Sequence, residues 1–262
     1  YEDYRAWRWE YLKRFDYTPD DCLTFHKSIE KVIVPLADKL LKKRKEALGL
    51  DKLKPWDLSV DIHERQALAP FKDAKELEEK CHNIFSSVDP ELGEHFGIMR
   101  EKNLLDLGNR KGKAPGGYCT EYPFQRLPFI FMNAVGTHSD VQTMIHEGGH
   151  AFHVFESADL PYSSQRDVGM EFAEVASMAM ELLASPFLTE NNGGFYTKQD
   201  SARARIEHLE KIIMFWPYMA VVDAFQHWAY TNPNEALNSD NCDLEWTNLW
   251  KRFQMSEHID YS

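Results

Sequence analysis

Thr143-Met144-Ile145-His146-Glu147-Gly148-Gly149-His150-Ala151-Phe152-His153 contains the pattern H-E-x-x-H. On an α-helix, positions four apart lie one above the other on the same face, about a turn apart. Two imidazoles so placed can bind one tetrahedral Zn²⁺, with Glu147 beside the metal as a candidate general base. The same letters also suit a histidine-rich amphipathic helix, so the flanking sequence has to decide.

Upstream, Leu127-Pro128-Phe129-Ile130-Phe131-Met132-Asn133 is the clearest β signal in the chain. Gly136-Thr137-His138-Ser139-Asp140 follows, and Ser139 or Asp140 is placed to cap the H-E-x-x-H helix. Strand, short loop and metal-binding helix in that order bring a sheet edge close to the metal. Phe131, Met132 and Asn133 are therefore expected in an edge strand that binds an extended peptide through main-chain hydrogen bonds.

Downstream, the extended motif H-E-x-x-H-x-x-G-x-x-H fails, because His153 holds the glycine position and Glu156 that of the last histidine. A further ligand must then be a carboxylate, and the predicted helix Met170–Leu183 offers Glu171, Glu174 and Glu181 on one face. The rest of that helix is apolar nearly all round, which predicts burial, and buried carboxylates are rare unless paired or metal-bound. Gly148 and Gly149 inside the motif helix cost roughly 2 kcal/mol relative to two alanines. Close approach of a neighbouring element or of a substrate backbone would explain them.

The remaining sequence predicts helices. Apolar spacing over residues 1–48 gives two, broken near Thr18-Pro19-Asp20, with Gly49 ending the second. Further helices are expected over Ala74–Phe85, Pro90–Lys102, Ser201–Tyr230 (kinked or broken at Pro217) and Glu245–Phe253. Residues 109–117 read as a flexible, basic, glycine-rich loop without the order of a phosphate loop, and residues 158–169 as loop.

Of the 262 residues, 43% are hydrophobic and 27% charged, an ordinary globular composition with room for a sizeable core. The net charge of −12, with no basic cluster beyond Lys42-Lys43-Arg44-Lys45, argues against nucleic acid or anionic membrane as partner. No apolar run approaches membrane-spanning length, and no stretch of the sequence reads as a signal peptide. The four cysteines form no C-x-x-C pair and read as reduced thiols of a cytoplasmic protein.

The motif stretch, followed by Phe172-Ala173-Glu174-Val175-Ala176-Ser177-Met178-Ala179-Met180-Glu181, resembles the thimet oligopeptidase/oligoendopeptidase F family of zinc metallopeptidases, most closely the oligoendopeptidase F branch. Gly116-Gly117-Tyr118-Cys119 and Pro128–Asn133 extend the likeness, and Leu48–Leu53 with Trp56-Asp57-Leu58 more loosely. The resemblance implies a zincin-type metallopeptidase catalytic domain, mainly α with a small β-sheet next to the active-site helix. It implies one Zn²⁺ per chain held by His146, His150 and Glu174, the glutamate of an F-x-E-x-x-S pattern, with Glu147 as general base. Glu181 matches a further acidic position, to which we assign the orientation of a histidine ligand. The implied reaction is hydrolysis of internal bonds in short peptides.

Members of the family are typically longer, so residues 1–262 are expected to be the catalytic-domain portion of a longer peptidase. Its N-terminal helical region and a C-terminal His/Tyr cluster of H-x-F-x-x-x-F-Y type have no match here. Tyr218, His227 and Tyr230 are better explained by helix packing than as stand-ins for that cluster. Two readings compete: a catalytically incomplete zinc-binding fragment, and an aminopeptidase-like enzyme, whose shorter ligand spacing would favour Glu171.

Overall fold

In the computed structural model, which describes residues 1–254 and 256–261, the apolar spacing of residues 1–48 resolves into α1 (Tyr4–Tyr11), α2 (Pro19–Ser28) and α3 (Val34–Ala47). A π-helical turn, Ile29–Ile33, joins α2 to α3. Its cause is Pro35, which lacks the N–H of a regular turn and crowds the carbonyl four residues back. Gly49 follows α3 at φ +66°, with the Leu50 N–H returning to the Lys45 carbonyl, as expected of a left-handed helix end. Next come α4 (Ala74–Val88) and α5 (Pro90–Glu101), capped by the side chains of Asp73 and Asp89. The strands are β1 (Leu105–Gly108), β2 (Tyr118–Tyr122) and β3 (Leu127–Ala134). Then follow α6 (His138–Ser157), a single turn α7 (Ser163–Arg166) within the expected loop, and α8 (Met170–Ala184). Helix α9 (Lys198–Thr231) runs on through Pro217, and α10 (Pro233–Ala236) and α11 (Ser239–Phe253) end the chain's helices.

The chain divides into two compact units, Tyr1–Gln66 with Ile206–Ser262, and Ala67–Arg205. In the second, the sheet order is β1-β3-β2, with β3 parallel to β1 and antiparallel to β2. This corrects the expectation for Phe131, Met132 and Asn133: they lie in the central strand, and β2 forms an edge. The near-continuous apolar run of β3 has a physical reason in that place, since a strand paired on both sides presents its side chains to packed neighbours. Ile130 and Met132 face the core. Asn133 instead donates through Nδ2 to the carbonyls of Ala114 and Gly116, at 2.8 and 2.9 Å.

The loop before β2 is pinned rather than flexible. Lys113, its side chain 1% exposed, reaches the Asp106 carboxylate (3.0 Å) and the carbonyls of Asp106 and Gly108, with its ammonium 4.4 Å from the Phe131 ring centre. Helix α6 packs on β2, β3 and α8. Its N-cap is Thr137, ahead of the expected Ser139 or Asp140, and Asp140 serves as the reciprocal partner of the capping box. Gly148 lies against the Phe85 ring, and Gly149 against the backbone of Ala176 and Ser177. The glycines thus serve helix packing.

Helix α8 departs from its expected burial. Ser177, Met180 and Ala184 are buried, but Phe172, Val175 and Leu183 are 69%, 57% and 55% exposed. The side facing α6 and α4 is covered within this unit, and the opposite side is exposed. An apolar helix surface predicts that something can pack on it, not that something does.

In the first unit, Ile29, Ala220, Val221, Leu249 and Phe253 form one apolar cluster, and Leu41, Leu53 and Ile259 another. Beside them Asp223 accepts hydrogen bonds from His26 Nε2 (2.7 Å) and faces His227 Nε2 (3.5 Å), while Arg5 donates to His227 Nδ1 (3.3 Å). Burial opposes the Asp223 charge, but the hydrogen bonds from His227 and His26 outweigh it and hold its carboxyl well below the usual range. Cys22 lies in the same cluster. Arg5 and Asp223 engage the two ring nitrogens of His227 without an ion, whereas the buried His26 Nδ1 has no partner among the described residues. Tyr230 meets Tyr4 edge-on at 4.8 Å and Tyr218 meets Trp250 at 6.4 Å, which gives both tyrosines packing partners inside this unit.

Candidate metal centre

Thr137 starts α6 and the helical period does the rest. His146 and His150 project from one face, their rings 5.0 Å apart and nearly perpendicular. Helix α8 brings Glu174 to them: its Oε2 lies 3.3 Å from His146 Nε2 and 3.7 Å from His150 Nε2. These three donors fall within 4.8 Å of one another. In a tetrahedral zinc site with bonds of about 2.0–2.1 Å, neighbouring donors stand about 3.3 Å apart. The two imidazoles and the carboxylate therefore fit zinc in kind, and the carboxylate stands close to that spacing from each imidazole. Glu171 is exposed and is not among the gathered donors.

Two neighbours hold this set in place. His146 Nδ1 donates to Glu181 Oε1 at 2.7 Å, which leaves Nε2 with its lone pair towards Glu174. The Ser177 hydroxyl, fully buried, stands 3.0 Å from Glu174 Oε2 and 3.0 Å from the Glu174 carbonyl. Glu174 is itself 42% exposed at its side chain, so its position rests on such contacts and not on enclosure. In the sequence Ser177 was legible as the serine of the F-x-E-x-x-S pattern, with no role attached. Its role depends on the approach of α8 to α6 at Gly149, which no spacing rule reports.

Electrostatics differ among the three neighbours on α6. The Glu181 hydrogen bond, against the opposing effect of burial, raises the His146 pKa above the ordinary imidazole value. Burial lowers that of His150. Burial raises that of Glu147, whose side chain lies next to the metal donors with the Cys119 backbone N–H facing its carboxylate. Cys119 itself is pushed up to about 12 by burial and by the Glu147 charge, so its thiol stays protonated.

These groups open into a cleft of about 690 Å³. One wall is Gly117 with β2 as far as Glu121, another is formed by residues between 163 and 174, and His146, Glu147, His150, His153 and Ser157 line the α6 side. Phe131, Met132 and Asn133 do not line it. The edge strand beside the donors is β2, a short segment that begins just after Gly116-Gly117. Among the described residues no helix is long and apolar enough to cross a membrane.

The sequence pattern of peptidase family M3 matches residues 1–261. Group B oligopeptidase PepB of Streptococcus agalactiae is 28% identical over 159 residues, covering 60% of this chain and 26% of that protein. Oligopeptidase PepF of Bacillus subtilis is 26% identical over 170 residues, covering 63% of this chain and 24% of its own. Among solved structures, PZ peptidase A with an inhibitor is 34% identical and superposes with a TM-score of 0.88 over 99% of this chain and 44% of its own. The chain thus spans about a quarter of the length of these curated relatives and under half of the solved one.

Proposed function

The chain belongs to peptidase family M3, and on that premise we propose that it hydrolyses internal bonds of short peptides with one Zn²⁺ held by His146, His150 and Glu174. The observation that carries this reading is the convergence of two imidazoles and a carboxylate at tetrahedral donor spacing, beside a buried glutamate, in a cleft walled by an edge strand. Three protein ligands leave a coordination position open, the mark of a catalytic zinc and not of a structural one. The metal, when bound, supplies a Lewis acid that polarises the scissile carbonyl and acidifies water.

The chain's own residues do the rest. Glu147 takes the proton of the attacking water and passes it to the leaving amine; its raised pKa suits both halves of that transfer. Glu181 and Ser177 hold His146 and Glu174 in register. Strand β2, paired with β3 on one edge only, offers its other edge to an extended peptide. The cysteines Cys81, Cys119 and Cys242 are thiols, which suits a reducing compartment such as the cytoplasm.

Internally quenched peptides, offered to the chain loaded with one equivalent of zinc, test the proposal. Cleavage should cease on chelation, return with zinc, and fall by at least about 10³-fold in Glu147→Gln while the zinc stays bound. A chain that retains its zinc and cuts no peptide overturns the enzyme reading and leaves a metal-binding module.

A further inference from the structure

The cleft is acidic with one exception. Its lining residues include the carboxylates Glu121, Glu147, Asp167 and Glu174, and Arg166 is the one Lys or Arg among them. The Arg166 side chain is 10% exposed. Its Nη1 donates to the Leu160 carbonyl at 3.3 Å, and its Nε stands 3.9 Å from Glu121 Oε1, an ion-pair separation beyond hydrogen-bond reach. A guanidinium has five N–H donors in a planar fork, so most are unspent on protein acceptors among the described residues. Nearly buried guanidinium donors left in this way suit a ligand with the geometry of a carboxylate, which the fork takes in two parallel hydrogen bonds.

The edge strand gives the place along the peptide. Cys119 is level with Glu147, since its backbone N–H faces that carboxylate. Glu121 lies two residues further on and on the same side of β2, where Cys119 and Glu121 are the half-buried positions. Two residues of strand span about 7 Å. A peptide laid along β2 with its reacting bond at Glu147 therefore brings a position about two residues away to Arg166.

We propose that Arg166 binds a carboxylate of the substrate about two residues from the cleaved bond, either an acidic side chain or a free terminal carboxylate. The assignment rests on the peptidase reading above and makes the cleft selective within an otherwise repulsive field.

The test compares matched peptides. One pair carries Glu or Gln two residues from the cleaved bond, and a second, shorter pair ends at that place as a free acid or an amide. The unaltered chain should favour the acid over its neutral partner by about 10- to 100-fold in kcat/KM, chiefly through KM, as expected for a charge-assisted hydrogen-bonded contact. Arg166→Met should bring that ratio to about one, and Arg166→Lys, which keeps the charge but loses the fork, should lie between. Preference in the first pair identifies a side-chain carboxylate and in the second a terminal one; either supports the assignment. No preference in the unaltered chain, or a ratio unmoved by Arg166→Met, overturns it. Equilibrium binding of the same peptides to the Glu147→Gln chain separates the two proposals. An acid preference lost in the Arg166→Met double variant upholds the subsite even if no peptide is cut.

Discussion

Ser177 and Glu181 act at the scale of single atoms. Each makes one hydrogen bond to a proposed metal donor, at 3.0 and 2.7 Å respectively. Ser177→Ala and Glu181→Gln should each weaken zinc affinity about 10- to 100-fold, read by chelator competition, with little loss of melting temperature for the serine change. A residue with a purely packing role would give the reverse pattern. Asp106 offers a test of charge. Hydrogen bonds from Arg110 and Lys113 outweigh its partial burial and hold its carboxyl down to about 2, below the ordinary value near 3.9. A depressed carboxyl stabilises the fold above its unfolded pKa and loses that contribution as pH falls through the folded one. Asp106→Asn should therefore cost about 2 kcal/mol at neutral pH, since it strips a charged partner from the buried Lys113. The difference from the unaltered chain should shrink between about pH 4 and pH 2, measured by denaturant unfolding. At this scale the sequence was informative where covalent spacing decides, as for His146, Glu147 and His150. It gave Ser177 as a motif letter without a role, and it was silent on Arg166, whose partners come from other segments of the fold.

At the scale of elements, the crossing of α6 and α8 sets the distance between the imidazoles and Glu174. A Cβ on Gly149 would sit 2.6 Å from Ser177 Cα and 2.7 Å from the Ala176 carbonyl oxygen, both backbone atoms that cannot swing aside. Gly149→Ala should gain about 1 kcal/mol of helix propensity and lose more than that to overpacking, typically 1–3 kcal/mol or above. It should also weaken zinc binding, because spreading the helices moves Glu174 from His150; a variant with unchanged zinc affinity would sink this account. The order strand, loop, helix was legible, as were the extents of α4, α5 and α8 to within a turn. The place of β3 was not: its apolar letters fit an edge or a centre, and strand order is settled by pairing between distant segments. The exposed side of α8 was likewise invisible, since burial depends on what lies opposite.

For the whole molecule, His146, His150 and Glu174 belong to residues 67–205, whereas the Asp223 network belongs to the other unit. Asp223→Ala leaves the His26 and His227 rings without their acceptor and should cost about 2–3 kcal/mol of stability. The zinc stoichiometry should stay at one; its loss would show that this network reaches the metal donors. Saturating zinc, at about 1,000 times its Kd, should stabilise by ~4 kcal/mol, so chelation should lower the melting temperature of the transition that carries residues 67–205. The sequence by itself determined the helical pair of histidines, the glutamate between them and the family, because a 3.6-residue period and a run of matched letters need nothing beyond the chain's own order. It also narrowed the further carboxylate to a few glutamates on one helix. Only the tertiary structure decided which of these meets His146 and His150, that β2 and not β3 borders the cleft, and that Arg166 stands alone among its acids. Those outcomes depend on contacts between segments far apart in sequence, and local pattern carries no record of them.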